Sequence, residues 1–286
     1  MKKTMRLALQ KSGRLHDDSM QLLRDCGISI DNGSDQLKAS ARNFDLEVFF
    51  LRNGDIPQYL KDGVVDAAII GDNLLVEKAP ELTVVEKLGF SRCKVCLAIP
   101  KDKPYTGIAD FQGQKIATSY PNTVQRFLDK HQIQAELHII NGSVEIAPNI
   151  GLSDSICDIV SSGSTLFKNN LKPVETLLHS EAVLVVSPQV TNQINETIEV
   201  LRTRIKAVLK GRNARYVLLN APNDKVAEIS RLLPGMKSPT VLPLAEPGWS
   251  SVHSVIDQDS YWEVIDALKL AGAEGILVIP IEKMFL

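Results

Sequence analysis

A chain of 286 residues has room for two or three domains. Its 32 basic and 34 acidic residues leave a net charge of −2, which argues against coating nucleic acid or an anionic membrane. Hydrophobic residues make up 44%, no apolar run approaches a membrane span, and the run in "MKKTMRLALQ" is too short for a signal-peptide core. The expected location is therefore the cytoplasm.

Short apolar runs alternate with amphipathic stretches through the first two-thirds. "MRLAL" (5–9) reads as a strand and "RLHDDSMQLLRDCG" (14–27) as a helix stopped by glycine. "LEVFFL" (46–51) precedes "DIPQYLKDG" (55–63), which has proline in its first turn and glycine after its last. "DAAII" (66–70) leads into "GDNLLVEK". Further strands are expected at "KIATSY" (115–120), "AELHII" (135–140) and "CDIVS" (157–161), and helices at "NTVQRFLDKHQ" (122–132) and "SVEIAPNIG" (143–151). Strands alternating with helices predict parallel α/β units.

Two strand-rich stretches, 83–100 and 172–188, bracket residues 101–171. A chain that leaves one lobe and returns through two connections makes a hinged, two-lobed molecule with a cleft. The expected division is lobe I from residues 1–100 with 172–212, and lobe II from 101–171. "RCKVCLAIP" carries Cys93 and Cys96. Alternation along a strand points them to opposite faces, so structural cysteines are expected rather than a metal or redox pair.

Residues 191–214 read as one long helix, with Ile194, Ile198, Leu201 and Ile205 at three- and four-residue spacing. After it the rhythm changes. "RYVLLN", "DKVAEISRLLPG", "TVLPLA", "WSSVHSVI", "YWEVIDALKLAG" and "GILVIPIE" follow as β-α-β-β-α-β, the ferredoxin-like order, over 213–286.

Ligands of open α/β sheets bind beyond the carboxyl ends of the strands. There "LQKSGRL" supplies Lys11, Ser12, Gly13 and Arg14 at a helix start, a setting that favours anions. Asp72 follows a strand, where helix capping is the default role. Tyr120 stands at another helix entry, and Glu145 in the first turn after "NGS". In "DIVSSGSTL" (158–166) Gly163 permits positive φ, while Ser161, Ser162, Ser164 and Thr165 bring hydroxyls. Successive backbone N–H groups can wrap a phosphate. Composition alone would equally suit a flexible linker; the position after an apolar strand, with Asp154 and Asp158 nearby, favours a site.

These stretches, with "DIPQYLKDGVVDAAIIGDNLL", "NGSVEIAP", "GLSDSICDIVSSGSTL", "SPTVLPLA" and "ILVIPIEKM", run in order along nearly the whole chain. Together they resemble the long form of ATP phosphoribosyltransferase. The resemblance implies an α/β fold with a two-lobed, periplasmic-binding-protein-like catalytic core and a C-terminal ferredoxin-like regulatory domain. It implies transfer of the phosphoribosyl group of phosphoribosyl pyrophosphate (PRPP) to N1 of ATP with Mg²⁺, the committed step of histidine biosynthesis. Feedback inhibition by histidine and assembly as a homo-oligomer, dimer or hexamer, follow from the same resemblance.

On that footing Asp158 and Ser161 to Thr165 hold PRPP, the last five receiving its 5-phosphate. Asp154 binds ribose hydroxyls, Glu145 lies near the ribose or Mg²⁺, and Lys11 holds phosphate at the reacting centre. Lys11, Ser12, Gly13, Arg14, Asp72 and Tyr120 face ATP, and Asn220, Ser238 and Thr240 bind histidine. Two rivals share parts of this pattern: a two-lobed small-molecule binding protein, and an enzyme like prephenate dehydratase with an amino-acid sensor domain. The missing signal-peptide core and the long C-terminal module weigh against the first, and the reaction of the second needs no phosphate loop.

Overall fold

A computed structural model describes residues 4–31, 37–161, 163–233, 238–259 and 261–285. The chain divides into two compact units: Met1–Arg24 with Ile28–Glu199, and Asp25–Gly27 with Val200–Leu286.

The first unit opens with β1 (Met5–Gln10), α1 (Arg14–Asp25), β2 (Lys38–Ser40), β3 (Leu46–Leu51), α2 (Ile56–Lys61), β4 (Ala67–Gly71), α3 (Asp72–Lys78) and β5 (Thr83–Lys87). It continues with β6 (Cys93–Pro100), β7 (Lys115–Thr118), α4 (Pro121–Lys130), β8 (Glu136–Ile139), β9 (Ser155–Val160), α5 (Ser164–Lys168), β10 (Leu171–Ser180) and β11 (Ala182–Val186). These build two sheets. One has the order β2-β3-β1-β4-β11-β5, the other β10-β6-β9-β7-β8.

In the first sheet β1 runs parallel to β3 and β4, and β11 runs antiparallel between β4 and β5. Ala67, Ala68, Ile69 and Ile70 of β4 are all fully buried, so this strand is apolar without alternation. Such a run signals a sheet covered on both faces. In the second sheet β7 is parallel to β8 and β9, while β6 runs antiparallel between β9 and β10. Val95, Leu97, Phe111, Ile116, Val124 and Leu128 form its core. Full burial of each such side chain contributes about 1.5–3 kcal/mol.

The chain crosses between the sheets twice, and both crossings fall inside the two strand-rich stretches. β5 pairs in the first sheet and β6 in the second; β10 pairs in the second and β11 in the first. The turns at 88–92 and at Glu181 are thus where the chain changes sheet. Strands β6 and β10, expected in lobe I apart from the first residue of β10, hydrogen-bond in the second sheet.

Residues 143–151 form two short 3-10 turns, Val144–Ile146 and Pro148–Ile150, and not one helix. Ser143 and Gly151 take left-handed backbone at either end, and Pro148 opens the second turn.

The division between the units falls inside α6 (Asn192–Arg212). The second unit continues with β12 (Ala214–Pro222), α7 (Val226–Leu232), β13 (Thr240–Pro243), β14 (Trp249–Asp257), α8 (Tyr261–Leu270) and β15 (Glu274–Pro280). Its sheet has the order β13-β14-β12-β15, all antiparallel. Along β12, Val217, Leu219 and Ala221 pack in the core with Ile229 and Leu268, while Tyr216, Leu218 and Asn220 lie half-buried on the other face. That is the period-two alternation of a sheet covered on one side.

Candidate active site

The residues just after β4 and β9 and both crossings line one cavity of about 440 Å³. Its wall carries the cations Lys87, Arg92 and Lys94, the acids Asp72 and Glu181, and Ser161 and His179. Register explains the gathering. Lys94 pairs with Val160 at the end of β9 and with His179 near the end of β10; β11 begins opposite Gly71, at the end of β4. Antiparallel crossing strands therefore deliver their own ends to the carboxyl ends of the parallel ones. Glu181 also accepts a hydrogen bond from the backbone N–H of Gly89 at 3.1 Å, which ties the two crossings together.

The loop after β9 faces this cavity through Ser161 and a second, of about 310 Å³, through Ser161 and Gly163. Lys94 lines both. Gly163 has φ 76°, the left-handed region, and α5 starts directly after it with no side-chain cap. A Cβ at Gly163 would meet only Val160 Cγ1 at 4.0 Å, so the glycine is required by its backbone angle and not by crowding. Ser161 is exposed, as are Ser164 and Thr165 at the start of α5. Ser162 lies outside the described residues.

Asp158 is half-buried in β9, three residues before Ser161, and Glu145 is half-buried in the 3-10 turn packed on that strand. Burial raises the pKa of Asp158. The N–H of Ile159 opposes the shift by donating to its carboxylate, and the neighbouring charge of Glu145 adds to it. The two acids thus share one neighbourhood.

Asp154 does not join them. It stands at the amino end of β9, where its carboxylate accepts from the N–H of Lys115 at 2.9 Å and lies 3.8 Å from Lys103 Nζ. The strand Ser155–Val160 lies between Asp154 and Ser161, and seven residue steps at the strand rise separate the two by roughly 20 Å. The structure thus places Asp154, expected on the ribose hydroxyls, away from the Ser161 loop, where it braces the start of β7. The spacing of Asp154 and Asp158 suggested a shared neighbourhood, but a strand carries four residues much farther than a helix does.

On the first sheet, Lys11, Ser12, Gly13 and Arg14 form an exposed turn at the end of β1. Gly13 has φ 93°, and the charge of Arg14 reaches Cys93 in the cavity wall. Cys93 is half-buried there, so it is not a core cysteine, whereas Cys96 is buried. Asp72 is the first residue of α3 and makes no cap bond; Gly71 is the cap residue. Burial raises the pKa of Asp72, Lys87 lowers it and Glu181 raises it.

The entry to α4 differs from the other turns. Pro121 has no N–H, the N–H groups of Asn122 and Thr123 donate to Glu77, and that of Val124 donates to the carbonyl of Tyr120. Every donor of the first turn is thus satisfied inside the protein. Tyr120 is buried, and its hydroxyl accepts from Asn73 Nδ2 at 2.8 Å.

In the second unit Asn220 and Thr240 share the open face of the sheet, two strands apart, since Asn220 pairs with Ser251 and Thr240 with His253 on β14. Ser238 is exposed, just before β13. Between Asn220 and Thr240 lies a polar chain absent from the sequence expectations. Tyr216 Oη sits 2.7 Å from His253 Nδ1, and Ser251 Oγ 3.0 Å from His253 Nε2.

The cleft residues that sequence reasoning missed are Lys87, Arg92, Lys94 and His179. Their signal was available: all lie mid-way in the two stretches that carry the chain between lobes, where side chains face the cleft. Among the described residues no group of three or more His, Cys, Asp or Glu side chains could hold a metal ion. No helix among them is long and apolar enough to cross a membrane.

Comparison with known proteins agrees with this geometry. A family model described as "HisG: ATP phosphoribosyltransferase" matches residues 52–207, and one described as "HisG, C-terminal domain" matches 211–283. An ATP phosphoribosyltransferase of Cytophaga hutchinsonii is 49% identical over 284 residues, 99% of each chain. One of Phocaeicola vulgatus is 50% identical over 282 residues, 99% of this chain and 100% of that one. Among solved structures, a chain of the ATP phosphoribosyl transferase (HisG:HisZ) complex from Thermotoga maritima is 29% identical with a TM-score of 0.60, covering 71% of this chain and 99% of that chain. The two-lobed fold extends to the L-arginine-bound Tv2483, 12% identical with a TM-score of 0.50 over 72% of this chain and 84% of that one. The chain belongs to the long form of the ATP phosphoribosyltransferase family, enzymes of the first step of histidine biosynthesis, which join the phosphoribosyl group of PRPP to N1 of ATP and release pyrophosphate.

Proposed function

We propose that the cleft divides this reaction between its two sheets, PRPP on the second and ATP on the first. The observation that carries the proposal is the cavity in which Lys87, Arg92 and Lys94 face the Ser161 loop. The loop of Ser161 to Thr165 holds the 5-phosphate with backbone N–H groups and hydroxyls, as a left-handed Gly163 permits. Asp158 accepts from the ribose hydroxyls, and Glu145 stands beside it. Lys94 and Arg92 stabilise the charge that grows on the leaving pyrophosphate.

ATP enters from the β1 and β4 side, with Lys11 and Arg14 on its phosphates and Ser12 and Gly13 shaping the turn. Asp72 lies on the adenine side; Tyr120 acts there through Asn73. N1 of adenine is already a nucleophile, so the protein supplies no strong base. Its main work is to align N1 with the ribose carbon and keep water out. Positive charge develops on the ribose as pyrophosphate leaves, and the carboxylate of Asp158 offsets it.

Mg²⁺ fits this arrangement as a companion of the substrate phosphates. Two carboxylates, Asp158 and Glu145, without a third described protein ligand suit an ion held chiefly by substrate oxygens and water. When bound it neutralises pyrophosphate charge.

The open sheet face around Asn220, Thr240 and the Tyr216–His253–Ser251 chain is our candidate for the histidine sensor, with residues 213–286 as the regulatory module. The same proposal includes a homo-oligomer in the cytoplasm, where the four free cysteines suit a reducing compartment. The test is a coupled assay with ATP, PRPP, Mg²⁺ and pyrophosphatase on Lys94→Ala. The kcat/KM for PRPP is expected to fall about tenfold or more, mainly through kcat, since a charged hydrogen bond contributes about 1.5–3 kcal/mol. Kinetics equal to wild type would remove Lys94 and the cavity from the reaction.

A further inference from the structure

Helix α3 of the first sheet and helix α4 of the second meet along a buried polar seam. Glu77 is 4% exposed, and its carboxylate takes three hydrogen bonds from the start of α4. Asn122 N–H donates to Oε1 at 2.9 Å; Thr123 N–H and Oγ1–H donate to Oε2 at 2.8 and 2.7 Å. The amide of Asn122 also donates to the Glu77 carbonyl at 3.1 Å, and Arg126 donates to the Val76 carbonyl at 2.8 Å.

One turn earlier Asn73, 5% exposed, continues the seam. Residues four apart share a helix face. Asn73 Nδ2 donates to Tyr120 Oη, its Oδ1 accepts from Ser180 Oγ–H at 2.9 Å, and its N–H donates to the same Ser180 Oγ at 2.9 Å. Tyr120 and Ser180 belong to the second sheet side, at the ends of the very strands that line the cleft.

A buried carboxylate is costly unless paired or fully hydrogen-bonded. Here an internal anion takes the helix N-terminus, where an open α/β fold would otherwise receive ligand phosphate. Such an arrangement is expensive to open by a small amount, because each displaced donor is left buried and unpaired. It therefore fixes one separation between the lobes.

We propose that Glu77 is a positioning residue for the transfer: by capping α4 from α3 it sets the distance between the ATP side and the PRPP side of the cleft. This rests on the assignment of the two substrates to opposite sheets. Glu77 touches neither substrate. Its loss leaves each lobe able to bind its own substrate while the reacting atoms are no longer held in line.

The test is Glu77→Gln, which keeps the shape but sets an amide N–H₂ against N–H donors. Steady-state kinetics with each substrate varied and a thermal melt are measured on the full chain with Mg²⁺. A folded variant whose kcat falls roughly 10- to 100-fold, with the PRPP KM held within about twofold, is expected. A kcat near wild type would overturn the proposal, and so would kcat and PRPP KM changing in parallel, since that marks general damage to the second lobe. If Glu77→Gln does not fold, Arg126→Ala on the exposed rim of the seam takes its place, with a smaller kcat loss and the same unchanged PRPP KM expected; no kcat loss there overturns the proposal. Failure of the underlying PRPP assignment would show separately, as a Gly163→Val enzyme with an unchanged PRPP KM.

Discussion

Gly163→Val tests the phosphate loop most directly. The backbone of Gly163 is left-handed at φ 76°, which a β-branched residue rarely adopts. The new side chain has room, because the nearest atom to its Cβ is Val160 Cγ1 at 4.0 Å. The perturbation is thus conformational, of about 1–3 kcal/mol. The loop can escape it by leaving the left-handed region, which scatters the N–H groups that face the phosphate. PRPP must then restore the strained form on binding. At 1.36 kcal/mol per factor of ten, the PRPP KM should rise about 5- to 150-fold. The kcat at saturating PRPP should stay within a few-fold of wild type, and the ATP KM should not move. The assay is initial rate against PRPP at saturating ATP, with a melting curve to confirm folding. A folded variant with the wild-type PRPP KM would refute the loop as the phosphate seat.

Three further outcomes follow. Asp158→Asn should lower kcat/KM about 10- to 100-fold, as expected for losing charge-assisted bonds to hydroxyls, yet its melting temperature at pH 7–8 should equal or exceed that of wild type. The sign follows from the raised folded pKa of Asp158: folding disfavours the ionised form, so the wild type carries a cost above that pKa which disappears as pH falls through it. A variant that melts well below wild type at pH 8 would contradict this. Asp154→Ala should keep kcat/KM within about twofold and lose about 1 kcal/mol of stability, from the bond to the Lys115 N–H and an exposed ion pair with Lys103; a large kinetic loss would return Asp154 to the active site. Asn220→Ala should raise the histidine concentration for half-inhibition about tenfold with basal rate unchanged, as the loss of one hydrogen bond of about 1.4 kcal/mol would require; unchanged inhibition would exclude that face as the sensor.

Much of this was legible in the sequence because periodicity is a local property. The βαββαβ order of the second unit, the long α6 and the turn after each parallel strand all follow from spacing and from glycine or proline at element ends. What the sequence concealed was pairing. Nothing local in "RCKVCLAIP" says that it joins the second sheet antiparallel, and only that pairing carries Lys94 to the end of β9. The acids show the same limit. Asp154 and Asp158 are near in sequence and far apart in the strand, while Glu145 and Asp158 lie 13 positions apart and still repel one another.

Glu77 marks a third kind of concealment. By spacing it is an acid in the second turn of a short helix, a residue type that is rarely buried unless paired. It is buried because α4 needs it. That helix begins at Tyr120 and Pro121, neither of which caps its first turn with a side chain, so its first-turn donors require an oxygen from elsewhere. The missing cap in one lobe and the misplaced acid in the other are two halves of one contact. A transferase that joins two bound substrates without a strong base depends on where its lobes stop relative to each other. In this chain that stopping point is set by a hydrogen-bonded carboxylate, which is directional, and not by apolar packing, which would permit sliding. The prediction for Glu77→Gln therefore concerns turnover and not affinity.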